Sequence, residues 1–171
     1  MRNVIFAAMA GLMLVCPAVA QQREWRLTPE GYGPARIGMT QAQVSSALRV
    51  RLEGEALDDA NSCIEMDAPA ALPGVYFMFV DRRLSRISLT EPSRATTPRG
   101  IGIGATEAQV RRAYPRGLRR ESHEYAGSPA SYLTYWVRPE ARGVRFETDT
   151  RRRVTTIHAG SDSITAVEGC A

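Results

Sequence analysis

Two histidines, His123 and His158, are the side chains best suited by type to acid–base chemistry near neutral pH. His123-Glu124 begins a H-E-x-x-H zinc helix, but position 127, where the second histidine belongs, is Gly. His158 precedes Ser161 and Asp162, the residue types of a serine-hydrolase relay. The surrounding "HAGSDS" reads as a strand leaving into a turn. "GIGIG" (100–104) before a helix start suggests a nucleotide loop, yet the fingerprint needs G-x-G-x-x-G in a βαβ unit. The equivalent earlier stretch, "PARIG", keeps only Gly38, so a structural turn is expected. All 22 basic residues are Arg, which excludes a Schiff-base lysine and a phosphate-loop lysine. Neither paired catalytic carboxylates nor a metal-ligand cluster is legible, so no catalytic residue, metal or cofactor is expected.

The elements that position these residues are announced by a phrase written twice. "IGMTQAQVSSAL" (37–48) returns 66 residues later as "IGATEAQVRRAY" (103–114), with seven of twelve positions kept. The retained types are those a helix start needs. Thr40 and Thr106 are N-cap residues, and Gln43 and Gln109 can reach back to the cap amide, which makes two capping boxes. Val44, Ala47 and Leu48 share one face, as do Val110, Ala113 and Tyr114, and Pro115 keeps the second helix short. Four matching segments follow each helix: 49–55 with 115–121, 62–66 with 131–135, 75–77 with 144–146 and 84–87 with 154–157. Turn residues separate them. The expected class is α+β: two tandem repeats, each a short helix plus a four-stranded antiparallel meander, closing into a two-layer helix/sheet sandwich. The repeats span 21–95 and 96–171 within one shared domain, with a seam near "EPSRATTPRG" (91–100).

Residues 1–20 read as a signal peptide. Arg2 supplies the charge, Val4 to Val15 the apolar stretch and Ala18-Val19-Ala20 the cleavage site. Val15 before Cys16 is not the small residue that lipidation prefers. Cleavage leaves 151 residues, and no later apolar run is long enough to cross a membrane. The two remaining cysteines, Cys63 and Cys170, read as one disulfide in an exported chain. Loss of Arg2 takes the formal charge from +4 to +3, too small an excess to indicate nucleic acid. Arg151-Arg152-Arg153 lies between two strand patterns and reads as a solvated hairpin tip.

With "ARIGMTQAQV" and "GIGIGATEAQV" opening the two units, the chain resembles the β-lactamase inhibitory protein family and its single-unit envelope relatives of the SmpA/OmlA type. The resemblance covers residues 33 to 160. It implies two joined units and a sheet surface that receives another protein. The family's inhibitors close a disulfide inside each unit, whereas Cys63 and Cys170 would span the two.

Strand alternation assigns the sides of the sheet. Val75, Phe77, Phe79, Leu133, Tyr135, Val137, Val144 and Phe146 should face the helices. Tyr76, Met78, Tyr132, Thr134, Trp136, Arg145 and Glu147 should face away, joined by Arg86 and His158. An open face bearing Tyr, Trp, Met and Arg has the composition of a binding surface. Tyr76, Met78, Arg86, Tyr132, Trp136 and Arg145 are therefore the expected binding residues. The functional expectation is a monomeric, periplasmic or secreted, non-enzymatic module that binds another envelope or extracellular protein. A small hydrolase using His158 or His123, or a small-ligand capture protein, is the alternative. Export predicts a mature chain beginning at Gln21, which intact-mass measurement of exported material checks; a retained leader or a lipid-sized addition would contradict it.

Overall fold

A computed structural model describes residues 25–54, 62–138 and 141–170; the signal segment and Gln21 lie outside the described residues. Three two-residue strands come first: β1 (Leu27–Thr28), β2 (Gly31–Tyr32) and β3 (Ala35–Arg36). Helix α1 (Gln41–Leu48) precedes β4 (Glu53–Gly54), β5 (Cys63–Asp67), β6 (Val75–Val80) and β7 (Arg83–Leu89). Helix α2 (Glu107–Ala113) precedes β8 (Leu118–Ser122), β9 (Ser131–Arg138), β10 (Arg142–Thr148) and β11 (Val154–Gly160). A 3-10 turn (Asp162–Thr165) opens the tail.

The expected α+β class is corrected. Among the described residues the chain is mostly β, with eleven strands in two antiparallel sheets. One sheet holds β1-β2-β3, and the other runs β4-β5-β6-β7-β11-β10-β9-β8 without a break. The helices have eight and seven residues, about two turns each by the α-helical repeat, and cannot roof eight strands. They bury only Val44, Leu48, Val110 and Glu107. Leu27, Tyr32 and Ala35 of the small sheet supply further cover in the same core. A helix/sheet sandwich of two repeats is therefore not the architecture.

The duplicated phrase does set both helix starts. Thr40 Oγ1 accepts from Gln43 N at 3.3 Å, and Gln43 Oε1 accepts from Thr40 N at 2.9 Å. The Thr106–Gln109 pair makes the same two bonds at 3.2 and 2.8 Å. Gly38 and Gly104 hold φ of 94° and 81°, a region that side-chain-bearing residues rarely enter. These turns dock each helix on a strand start. Gly38 N donates to Leu84 O at 2.7 Å, and Gly104 N to Val154 O at 2.8 Å. "GIGIG" is thus a structural turn. Helix α1 ends on Arg49 in the left-handed region, and α2 ends on Tyr114 ahead of Pro115.

The core lies between the large sheet and the helices. Phe77, Phe79, Ile87, Leu89, Leu133, Phe146 and Ile157 are fully buried there. Each contributes roughly 1.5–3 kcal/mol of burial, so strand side chains from both halves carry the core. Val137, expected inward, is 50% exposed because the β9–β10 register shifts beside it. Arg138 pairs with Arg142 and Trp136 with Gly143, leaving Val137 unopposed in a bulge. The stretch 91–100, expected as a seam, is tied down: Leu27 N donates to Thr96 O at 3.0 Å, and Thr97 is fully buried. Arg151–Arg153 are exposed, with Arg151 N and Arg153 N both donating to Asp149 Oδ1 at 2.8 Å.

Cys63 of β5 and Cys170 of the tail form a disulfide across a sequence separation of 107 residues. Closing so long a loop is worth at most about 5 kcal/mol in the chain-entropy account. The Cys63→Ser/Cys170→Ser variant should lose a comparable part of its unfolding free energy in urea titrations; an unchanged midpoint and slope would show that the tail is held without it.

Candidate functional site

The large sheet's second face carries the site. Register places Asp67, Tyr76, Ser88, His158, Arg145, Thr134 and Arg119 in one row across seven strands. A second row holds Glu65, Met78, Arg86, Gly160, Gly143 and Trp136. The face is on the side that alternation assigns, but it is not open. Met78, Arg86 and Tyr132 are 3% exposed and Arg145 is 4% exposed. Tyr76 is 37% exposed, and Trp136 is half-buried. The expectation of six outward binding residues is corrected to two accessible ones.

His123 and Arg145 cover Tyr132, and the tail covers Arg86. Ile164 packs on Gly143, where an added Cβ would come within 2.9 Å of Ile164 Cδ1. Ser85 Oγ hydrogen-bonds Ser161 Oγ and Ser163 Oγ, both at 2.6 Å. Arg86 donates to the carbonyls of Ser163 (3.1 Å) and Ala166 (2.7 Å) and pairs with Glu65 at 2.7 Å. Gly169 lies against Glu65 and Arg86, and Cys170 closes the strap on Cys63. The β8–β9 loop meets the strap where Tyr125 OH donates to Glu168 Oε1.

The imagined His158–Ser161–Asp162 relay does not form, because Ser161 belongs to the serine cluster around Ser85 and Asp162 is exposed. His158 instead bonds two residues that its local sequence does not reveal. Ser88 Oγ lies 2.7 Å from His158 Nδ1, and Glu147 Oε1 lies 3.2 Å from Nε2. An ionised Glu147 only accepts, so Nε2 carries the proton and Nδ1 accepts from the Ser88 hydroxyl. His123 faces the other oxygen of Glu147 at 4.0 Å and stacks on Tyr132. Its Nδ1 accepts from Tyr125 N and Ala126 N at 3.2 and 3.1 Å.

Burial holds His158 below the ordinary histidine value; Glu147 works the other way, and Arg86 and Arg145 reinforce the depression. Burial alone would raise Glu147, but the His158 hydrogen bond and the charges of His158, His123 and Arg145 hold it below the usual carboxylate range. The neutral form of His158 is the folded one at pH 7.

Ser88–His158–Glu147 has the residue types of a hydrolytic relay. Its setting lacks the other half of that chemistry. Ser88 is 5% exposed and sits mid-strand, with β6 on one side and β11 on the other. Neighbouring backbone N–H groups are spent on the ladder, so none can hold an oxyanion.

Arg145 is the anomaly of the face. Its guanidinium stacks 3.8 Å over the Tyr132 ring, and Nε is buried without a hydrogen-bond partner. Burial pulls it below the ordinary arginine value, against the carboxylates of Glu121 and Glu147. Thr134, opposite it in register and 2% exposed, has an unpartnered Oγ1. Away from this face, Trp25, Tyr32, Leu48, Leu72, Val75 and Ala95 help line an apolar groove of about 840 Å³. No metal-holding group of three or more His, Cys, Asp or Glu occurs among the described residues, and no described helix is long and apolar enough to cross a membrane. Compared with family models, curated proteins and solved structures, the chain has no match.

The depressed His158 carries a signed consequence. The unfolded chain binds this proton at about pH 6.5 and the folded chain only below that, so stability is full above about 6.5 and falls as pH drops. Glu147 adds its own loss at lower pH, below its unfolded value. Thermal melts should therefore fall between pH 7 and 5 for the wild type and stay flatter for His158→Gln; parallel curves would remove His158 from the acid response.

Proposed function

We propose that this chain is an exported, non-enzymatic binding module that engages another protein at the tail-covered face of its large sheet. One observation carries the reading. Of the four exposed large hydrophobic side chains among the described residues, Tyr76, Tyr125 and Val167 belong to that face or to the two segments laid over it. Tyr125 OH donates to Glu168, the residue after Val167. Exposed aromatics of this kind are the usual anchors of interfaces. The disulfide suits an oxidising compartment. The duplicated phrase that resembles the β-lactamase inhibitory protein family supports the same kind of partner.

A small hydrolase is the second reading, favoured by the Ser88 Oγ to His158 Nδ1 bond of 2.7 Å. The missing oxyanion donors weigh against it.

Affinity capture from envelope extract, with a captured protein then titrated against purified variants, separates the two. Truncating an aromatic anchor costs about 2 kcal/mol, so Tyr76→Ala and Tyr125→Ala should each weaken binding roughly 30-fold while leaving the melting temperature close to wild type. A partner held equally by both variants would reject this face. Hydrolysis of an activated ester that disappears in Ser88→Ala and in His158→Ala would favour the enzyme.

A further inference from the structure

We infer that Arg145 and Thr134 form a binding site for the carboxylate group of a ligand. The inference rests on the reading of this face as a binding face and adds the chemistry recognised there.

The two residues oppose each other on β10 and β9. Both are more than nine-tenths buried, and each keeps a donor without a partner, Nε of Arg145 and the hydroxyl of Thr134. Burying an arginine away from a paired carboxylate is strongly unfavourable, and an unmade hydrogen bond in the interior is costly too. Two such groups side by side define a place for an acceptor. Arg86 provides a partial contrast: its Nε is also without a partner, but its Nη1 and Nη2 reach two tail carbonyls and Glu65, whereas Arg145 makes no such bonds among the described residues.

The donor set selects the ligand. A guanidinium presents a planar fork that matches a carboxylate through two parallel bonds. Stacking on Tyr132 fixes the plane of that fork. The Thr134 hydroxyl adds one further donor beside it. Glu121 and Glu147 lie near enough to bear on the Arg145 charge, so a dianionic phosphate would meet their repulsion and a monoanion far less of it. Entry is from the edge: β8 ends the sheet, and its exposed Arg119 pairs in register with Thr134. An anion arriving there meets one exposed guanidinium before the buried one.

The test uses the full mature chain, isotope-labelled, and follows the Arg145 Nε–H and Thr134 amide NMR signals at pH 7.5. The probes are acetate, inorganic phosphate, an acetylated triglycine with a free C-terminus and the same peptide amidated. Acetate and the free-acid peptide should shift both signals saturably, while phosphate binds more weakly and the amide does not bind. Tighter binding of the free-acid peptide than of acetate would identify a chain terminus as the source of the carboxylate; equal binding would identify a small acid. Thr134→Val removes one hydrogen bond to a charged group and should weaken the carboxylate about tenfold. The same variant should be at least as stable as wild type, since it removes an unpaired hydroxyl, whereas a structural hydroxyl would predict destabilisation. Arg145→Lys loses the planar fork and should weaken binding at least as much. The Cys63→Ser/Cys170→Ser variant serves as the form with its tail released. No saturable shift in either form, equal affinity in Thr134→Val, or phosphate binding tighter than carboxylate would overturn the site. A failure here with partner capture intact would reject the carboxylate alone, and carboxylate binding without a protein partner would reject the protein-binding reading alone.

Discussion

The pairing of β7 with β11 is the interaction on which the rest of the molecule depends. Four residue pairs, from Leu89↔Ile157 to Arg86↔Gly160, join two meanders into one eight-stranded sheet. On the helix side this seam brings Ile87, Leu89 and Ile157 together with Phe77 and Phe146 in a shared core. On the other side it sets Ser88 against His158. Neither meander alone offers an edge-free sheet, and an unpaired β7 would expose a row of backbone donors and acceptors. One register thus fixes the core and the polar row at once, because a slip of one residue would exchange the two faces.

The tail depends on that seam in turn. It leaves β11 at Gly160 and crosses back over β7, where Ser85 and Arg86 receive it. Arg86 is a buried cation, and such a group needs its charge paired and its donors engaged; here Nη1 and Nη2 are engaged and Nε is not. Glu65 supplies the charge and the tail carbonyls supply the acceptors. The strap therefore satisfies groups that a bare sheet would leave facing solvent, and the disulfide holds it over them. On the far side His123 and Arg145 cover the Tyr132 ring, so the exposed aromatics are Tyr76 and Tyr125.

What the sequence disclosed follows the range of the forces involved. Helix starts were legible because capping is local: Thr and Gln three residues apart suffice, and both boxes form. The sides of the strands were legible because alternation is local too, and Phe77, Leu133 and Phe146 lie where it puts them. The fold class was misread because a cap marks where a helix begins and not how much sheet it covers. The small sheet of Leu27–Arg36 was missed because two-residue strands have no periodicity to detect. Ser88 was missed as the partner of His158 because 70 residues separate them and only the β7–β11 register unites them. Arg86 and Ser88, two apart in "RLSRISL", were the available signal, since polar residues sharing one side of an otherwise apolar strand suggest a polar face.

The two buried arginines of that face show how similar residues acquire different roles from their neighbours. Arg86 lies under the strap and donates from Nη1 to two of its carbonyls, so it acts as the tail's anchor. Arg145 lies beyond Gly143, where Ile164 marks the strap's near side. It has an aromatic ring beneath it but, among the described residues, no carboxylate in hydrogen-bonding contact. A carboxylate from the chain itself could have completed it, and Glu147, two residues along the same strand, is an obvious acceptor. Glu147 is instead engaged by His158, with His123 facing its second oxygen. The histidines thus engage Glu147, which acts on Arg145 through its charge and not through a hydrogen bond. The relay-like geometry around His158 also orients Glu147. The polar face thus sorts its charges: Arg86 bonds the tail, Glu147 bonds histidine, and Arg145 Nε and Thr134 Oγ1 have no partner among the described residues.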